Sequence, residues 1–210
     1  MKTSPYGVRG SEPSGSASWT GVDEARAREN HGAAQHRLAQ RSVALIGFMG
    51  VGKTSVGREL ARLLDRPFAD TDTIVQERAG ATIPELFARG EATFRELERE
   101  ALLDALDPAG RVIALGGGAF TQPGCPEMLL PRALVVHLYT PWRVVRDLLP
   151  ELAADRPLIR DRPVHEIQQL FLSRAAAYRR AHVRICLPRH SPEWAAAEIV
   201  EILRHHRRSE

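Results

Sequence analysis

Cysteine is scarce in this chain of 210 residues, which contains only Cys125 and Cys186. The two lie far apart and form no C-x-x-C pair, so the sequence suggests neither a disulfide framework nor a zinc site. We therefore expect a protein of the reducing cytoplasm. No apolar run approaches the roughly 18 residues that a membrane-spanning helix needs, and the N-terminus has no apolar segment of the signal-peptide kind. We expect a protein that is neither secreted nor membrane-bound.

Lysine is almost absent as well. Of the 29 basic residues only Lys2 and Lys53 are lysines, and the rest are arginines. The formal net charge is only +3, and acidic residues are interspersed with the arginines instead of leaving a basic stripe. Bulk charge therefore does not indicate nucleic-acid binding. We expect a monomer whose partners are small molecules, not nucleic acid or membrane.

Large apolar residues are largely missing from the first forty positions. Residues 1–19 are rich in Ser, Gly and Pro, and residues 23–40 are mostly charged or alanine. Such segments cannot bury enough apolar surface to offset the entropy of ordering the chain. We predict that residues 1–40 form a disordered or weakly helical extension and that the folded domain spans residues 41–210.

From Arg41 onward, short apolar runs rich in β-branched residues alternate with longer amphipathic patterns. This alternation predicts an α/β fold with a parallel sheet covered by helices on both faces, and with ligands at the carboxyl ends of the strands. The predicted strands are Val43–Ile46, Phe68–Ala69, Val112–Leu115, Ala133–Leu138 and Val183–Leu187. The predicted helices are Lys53–Leu64, Thr73–Arg78, Pro84–Leu106 with a break near Gly90, Pro141–Leu149, Val164–Ala181 and Pro192–His205.

The segment Gly47–Thr54 fits the phosphate-binding pattern G-x-x-x-x-G-K-[ST], directly between the first predicted strand and helix. Its glycines let the backbone turn so that consecutive N–H groups point at an anion. Lys53 would reach the β- and γ-phosphates, and Thr54 would bind Mg²⁺. The alternative is a glycine-rich turn with an incidental lysine, which the strand and helix on either side argue against. The predicted nucleotide-binding residues here are Gly50, Val51, Gly52, Lys53, Thr54 and Ser55.

Two acidic residues follow the second predicted strand. Asp70 and Asp72 lie on the ligand side of the sheet, where one would serve Mg²⁺ and the other an acceptor hydroxyl. The alternative is that Asp72 caps the following helix. The third strand has no terminal Asp, so the carboxylate for the metal must come from elsewhere. Asp70 is the natural supplier.

Two further groups complete the candidate site. Arg95 and Glu98 stand three residues apart on one helical face, and the usual explanation of such a pair is a solvated ion pair. Gly116, Gly117 and Gly118 end the third strand, where three glycines let the backbone approach a ligand closely.

Prolines punctuate the stretch from residue 150 to residue 163. Pro150, Pro157 and Pro163 interrupt a charged connection between two predicted helices. Such a connection is typical of a mobile segment, and we predict that it forms a lid.

In this order and spacing, the motifs resemble those of the shikimate kinases. The resemblance covers residues from about Ser42 to His205 and implies a five-stranded parallel sheet of the nucleoside-monophosphate-kinase kind, with a lid that closes over ATP. The extension of residues 1–40 has no counterpart in it. The motifs are Gly47–Thr54, Asp70–Asp72, Gly90-Glu91 with Phe94-Arg95 and Glu98, Gly116–Gly118, Arg156–Leu158, and Arg174 with Tyr178–Arg180.

The resemblance implies a role for individual residues in the transfer of a phosphoryl group from MgATP to the 3-hydroxyl of shikimate. It implies that Glu98 supports the substrate arginines, that Arg156 in the lid reaches the phosphates and that Arg146 lies near the adenine. Catalysis would then rest on Lys53, Asp72 and Arg156, and the metal on Thr54 and Asp70. The implied shikimate-binding residues are Asp72, Arg95, Gly117 and Arg174.

Two other functions stay open at this point. A kinase of a different polyol or cyclitol acid would keep the nucleotide residues and change the acceptor clamp. A nucleotide-binding module without transferase activity would need neither the paired aspartates nor the lid arginine.

Overall fold

A computed structural model describes residues 41–153, 157–160, 162–187 and 191–209 of the chain. The extension of residues 1–40, together with residues 154–156, which include Arg156, lies outside the described residues. The division into extension and domain therefore stays a prediction. Among the described residues, no helix is long and apolar enough to cross a membrane.

Five parallel strands form one sheet in the order β2-β3-β1-β4-β5. The strands β1 and β3 are completely buried, because helices cover both faces of the sheet. Buried parallel strands are usually continuous apolar runs, as the sequence of β1 is. The strands are β1 Ser42–Ile46, β2 Phe68–Asp70, β3 Val112–Ala114, β4 Ala133–Tyr139 and β5 Val183–Cys186.

The helices lie where the amphipathic patterns predict them, with some differences at their ends. Three short elements were not predicted from the sequence: a 3₁₀ turn at Ala119–Thr121, helix α5 at Cys125–Leu129 and helix α7 at Pro157–Arg160. The helices are α1 Lys53–Leu64, α2 Thr71–Ala79, α3 Ile83–Arg89, α4 Glu91–Leu106, α5 Cys125–Leu129, α6 Trp142–Ala153, α7 Pro157–Arg160, α8 Val164–Tyr178 and α9 Pro192–Ser209.

The proline-punctuated connection contains more helix than its sequence suggests. Helix α6 continues through Pro150 to Ala153, and α7 occupies Pro157–Arg160. A proline inside a helix costs one backbone hydrogen bond but does not always end the helix. Burial of Val145 and Leu149 on the core-facing side of α6 offsets the free-energy cost of that lost hydrogen bond. That this connection is a lid stays a prediction.

The sheet order brings the predicted site residues to one edge. The phosphate-binding loop follows β1, Asp70 ends β2, and the three glycines follow β3, which lies between β1 and β2. In a parallel sheet these carboxyl ends point the same way. Residues from three separate parts of the sequence therefore meet.

Candidate active site

The loop between β1 and α1 has the backbone of an anion cradle. Gly50 and Gly52 have φ angles of +79° and +84°, a region that residues with a side chain rarely adopt. Gly52 is the N-cap of α1 and provides no side-chain cap. The first N–H groups of α1 therefore have no intrahelical partner and point toward the loop. This is the geometry in which proteins bind phosphate.

Lys53 lies across the same loop. Its Nζ donates to the carbonyl oxygens of Gly47 and Phe48, both at 3.1 Å. The ammonium is thus held beside the cradle by the loop itself. Among the other predicted nucleotide-binding residues of this segment, Val51 is buried and Ser55 is exposed, so the loop anchors one side chain in the core.

Asp70 links the loop to the second strand. Its Oδ2 accepts a hydrogen bond of 2.7 Å from Oγ1 of Thr54, and its Oδ1 accepts one of 3.0 Å from the N–H of Asp72. Asp70 is therefore the N-cap of α2, which begins two residues earlier than predicted. The alternative that Asp72 caps this helix is wrong, and Asp72 lies in its first turn.

Thr54 and Asp70 form a pair of oxygen donors suited to a hard cation. Mg²⁺ prefers oxygen ligands and usually keeps several waters while binding one or two carboxylates and the phosphates of its substrate. Among the described residues, no group of three or more His, Cys, Asp or Glu side chains is placed to hold a metal ion. The two oxygen donors of Thr54 and Asp70 fit a Mg²⁺ ion whose other ligands are waters and phosphate oxygens.

Gly116 brings two carboxylates together at the end of β3. A Cβ atom at this position would lie 2.5 Å from Oδ1 of Asp72 and 2.7 Å from Oε1 of Glu98. Only glycine leaves room for both. The N–H of Gly116 donates to Oγ1 of the fully buried Thr71 at 2.9 Å, which fixes the backbone between them.

Glu98 is a buried partner of Arg95, not half of a solvated ion pair. Its Oε2 lies 2.7 Å from Nη1 of Arg95, and its residue surface is only 3% exposed. Burial raises the pKa of Glu98, Arg95 opposes that rise, and the charge of Asp72 adds to it. The expectation that Glu98 supports an arginine agrees with this contact, whereas the solvated alternative is wrong.

Arg95 is oriented from several sides. Its Nη2 lies 2.9 Å from Oε1 of Glu91, and its guanidinium lies 5.2 Å and 5.7 Å from the ring centroids of Phe94 and Phe87. Burial lowers the pKa of Arg95, but Glu98 and Glu91 outweigh it and the net shift is upward. The guanidinium is fixed in place while part of it remains accessible.

Arg174 and Tyr178 reach the second glycine from helix α8. Nη1 of Arg174 donates to the carbonyl oxygen of Gly117 at 3.0 Å, and the hydroxyl of Tyr178 donates to the same oxygen at 2.6 Å. The Arg174 guanidinium also lies 5.5 Å from the ring centroid of Phe48. Burial lowers the pKa of Arg174 and raises that of Tyr178 to about 12.

Gly118 is flanked by two arginines. A Cβ atom there would lie 3.0 Å from Nη1 of Arg95 and 3.2 Å from Nη2 of Arg174. Two guanidiniums from α4 and α8 therefore converge over one stretch of backbone, close to the carboxylate of Asp72 at Gly116. Such an arrangement suits a small molecule that carries both a carboxylate and a hydroxyl group.

Two predicted site residues are not joined to this cluster. Arg146 is exposed on α6, and its Nη2 lies 3.1 Å from Oδ1 of Asp147. No described contact places its side chain at the phosphate-binding loop, although Leu152 of the same helix packs over Gly50. Arg156 lies outside the described residues, and both assignments stay predictions.

The role of Tyr178 was missed by reasoning from the sequence. Tyr178 belongs to one of the motifs that carry the family resemblance, but its local sequence indicates no role. The available signal is its spacing from Arg174, because residues four apart share a helical face.

Comparison with known proteins identifies a family for most of the described chain. A family model for shikimate kinase matches residues 49–204. Among curated relatives, the shikimate kinase of Geobacillus kaustophilus is 38% identical over 170 residues, which cover 80% of this chain and 90% of that protein. A shikimate kinase of Thermus thermophilus is 38% identical over 166 residues, which cover 78% of this chain and 90% of that protein.

Solved structures give the same result. Shikimate kinase from Acinetobacter baumannii in complex with shikimate superposes with a TM-score of 0.72 at 35% identity, covering 84% of this chain and 98% of that one. Shikimate kinase from Bacteroides thetaiotaomicron has a TM-score of 0.71 at 32% identity, covering 78% and 98%. The overall fold of the chain is therefore that of the solved shikimate kinases.

Proposed function

The chain belongs to the shikimate kinase family and phosphorylates shikimate with ATP, and from this premise we propose how its residues divide that work. The observation that carries the proposal is the convergence of Arg95 and Arg174 on Gly118, beside the carboxylate of Asp72. One clamp for a carboxylate and one acceptor for a hydroxyl proton then lie on the same side of the phosphate-binding loop.

The nucleotide end is formed by the loop and the start of α1. Backbone N–H groups of residues 50–55 receive the phosphates, and Lys53 exchanges its two carbonyl partners for phosphate oxygens. Thr54 and Asp70 would hold Mg²⁺, which supplies positive charge to the phosphate oxygens when it is bound with ATP. In this arrangement positive charge surrounds the group that is transferred.

The acceptor end is formed by the two arginines and Asp72. Arg95 and Arg174 bind the shikimate carboxylate as planar donors, while Glu98 holds Arg95 in place. The 3-hydroxyl oxygen attacks the γ-phosphorus, its proton passes to Asp72, and the bond from phosphorus to the β-phosphate oxygen breaks to release ADP. Arg156, in the lid, would stabilise the migrating group.

The expected magnesium requirement, the monomeric state, the cytoplasmic location and the lid belong to the same proposal. The oxygen donors of Thr54 and Asp70 support the first of these. The others follow from sequence reasoning alone.

The carboxylate clamp is tested by changing both sides of the contact. Arg95→Lys keeps the charge but loses one of two parallel hydrogen bonds, and shikimate methyl ester keeps the 3-hydroxyl but loses the carboxylate charge. Each change alone should lower kcat/KM by about tenfold to 150-fold, the range for one or two hydrogen bonds to a charged group. When the variant is assayed with the ester, the fold-loss in kcat/KM should be much smaller than the product of the two single fold-losses, because both changes remove the same interaction.

Arg99→Lys, one turn further along α4, is the matched control and should leave both substrates unchanged. The measurement is ADP release with ATP and acceptor varied separately. Fully multiplicative losses would place the carboxylate elsewhere, and a better rate with another cyclitol acid would favour a different acceptor.

A further inference from the structure

A cavity adjoins the acceptor clamp at Arg95 and Glu98. It has a volume of about 700 Å³ and opens between α4 and the segment from Ala119 to Arg132. It shares Arg95 and Glu98 with the candidate active site, but neither Asp72 nor Arg174 lines it. The volume falls in the range of about 300–1,000 Å³ that is usual for small-molecule sites.

The inner wall of this cavity is apolar. Leu102, Cys125 and Met128 line it, and Leu103 leaves 38% of its surface exposed there. The thiol of Cys125 is protonated at neutral pH, since burial raises its pKa to about 12. The wall therefore suits an uncharged ring or chain of carbon atoms.

The mouth of the cavity carries two arginines without a partner. The side chains of Arg99 and Arg132 are exposed and form no hydrogen bond or ion pair with any residue that the structure describes. Glu96, three residues before Arg99, also lines the cavity but does not pair with it.

An apolar wall below unpaired guanidiniums is complementary to one class of ligand. Guanidinium groups bind carboxylates with two parallel hydrogen bonds, and the wall would cover the apolar part of the same molecule. A dianion would meet Glu96 as well, so a single carboxylate fits better.

We propose that this cavity binds a small monocarboxylate with an apolar ring or chain, which weakens shikimate binding through Arg95. The proposal rests on the function given above, in which Arg95 holds the shikimate carboxylate. Arg95 already lies between Glu91 and Glu98. A further anion in the cavity would partly neutralise the positive charge of Arg95. Arg95 would then attract the shikimate carboxylate less strongly.

The test uses the full chain with 1-naphthoate as the probe and 1-naphthalenemethanol as its uncharged counterpart. Calorimetry should show that the alcohol binds at least about tenfold more weakly, the effect of losing a charged hydrogen bond. In kinetic assays naphthoate should raise the KM for shikimate severalfold and leave the KM for ATP nearly unchanged.

The double variant Arg99→Ala/Arg132→Ala should weaken naphthoate binding at least about tenfold while kcat and both KM values without the probe stay unchanged. Arg58→Ala removes an exposed, unpaired arginine from α1 and should have no effect. Leu103→Glu is an independent variant that places a carboxylate on the apolar wall and should also weaken naphthoate binding at least about tenfold.

Two results would overturn the proposal. One is naphthoate affinity that is unchanged in both cavity variants. The other is a loss of naphthoate affinity in Arg174→Lys as large as the loss for shikimate, since that would place the probe in the acceptor site. Calorimetry keeps this test separate from the proposed function, because it does not require turnover.

Discussion

At the scale of single residues, the carbonyl oxygen of Gly117 controls the orientation of Arg174. It accepts hydrogen bonds from both Arg174 and Tyr178, and the tyrosine ring contacts the tilted ring of His137, with centroids 4.9 Å apart. Tyr178 makes no contact with the nucleotide loop in the interactions described. We interpret it as a positioning residue that fixes the backbone carbonyl to which Arg174, the proposed acceptor-binding arginine, donates.

Tyr178→Phe keeps the ring and removes only the hydroxyl. We expect a loss of stability of about 1 kcal/mol and a roughly fivefold higher KM for shikimate, with the KM for ATP unchanged. Kinetics with each substrate varied, together with thermal unfolding, measure both effects. Tyr139→Phe is the control, because Tyr139 faces Arg184 instead of the glycine loop. Equal changes in both KM values would mean that Tyr178 acts only on the fold.

Residue identity at the site could be predicted where the chemistry depends on a local pattern. The phosphate-binding loop, the two aspartates and the three glycines are each readable within a few neighbouring positions. The function of Tyr178 could not be predicted, because its partner is a backbone carbonyl 61 residues away. The burial of Glu98 was likewise hidden, since spacing on a helix shows which residues are neighbours and not what covers them.

At the scale of elements, the site depends on how closely α1 approaches β2. Gly57 lies on the buried side of α1, where a Cβ atom would come within 2.5 Å of Cε2 of Phe68. The same two elements carry Thr54 and Asp70, which form the proposed metal pair. A wider separation of α1 and β2 would therefore increase the distance between Thr54 and Asp70.

Gly57→Ala should destabilise the protein despite alanine being the better helix former. Overpacking costs about 1–3 kcal/mol, whereas the gain in helix propensity is about 1 kcal/mol. We expect a lower urea midpoint than that of the wild type. The KM for ATP should rise more than the KM for shikimate. Adding Phe68→Leu should recover most of the loss by making room for the methyl group. Arg58→Ala, exposed on the same helix, is the control, and a double variant no better than the single one would contradict the packing argument.

Element boundaries were predictable only where a local signal ends the element. Helix α2 begins earlier than predicted because the side chain of Asp70, the last residue of β2, serves as its cap. Helix α6 runs past Pro150 because tertiary burial outweighs the proline signal. The short helix α5 was missed because five residues give no readable periodicity.

At the scale of the whole molecule, the alternation of strands and helices predicts a parallel sheet but not the order of its strands. That order depends on pairings between distant segments, such as Val43 with Val112 and Leu134, which no local pattern encodes. The resemblance to a known family supplied the five-stranded architecture. The order matters for function, because only with β3 between β1 and β2 do the glycines face both the loop and Asp70.

The pH dependence of global stability should reflect His137, which is buried on β4. Burial, together with the positive charges of Arg184 and Lys53, lowers the pKa of His137 from 6.5 to about 4. The unfolded chain takes up a proton below pH 6.5, whereas the folded chain does so only near pH 4. This residue therefore reduces stability progressively as the pH falls through that interval.

Glu98 acts in the opposite direction, which makes the comparison of variants necessary. Its raised pKa means that its contribution to stability is present at low pH and lost as the pH rises through the folded-state value. The pH dependence of wild-type stability combines the contributions of both groups.

In His137→Gln the imidazole is replaced by a side chain that does not titrate, so the stability difference from the wild type should be smaller at pH 5 than at pH 7. Urea unfolding at the two pH values measures it, with the exposed His165→Gln as control. A difference that stays constant would show that His137 takes up its proton equally in the folded and unfolded chains, and that the charges of Arg184 and Lys53 do not act on it.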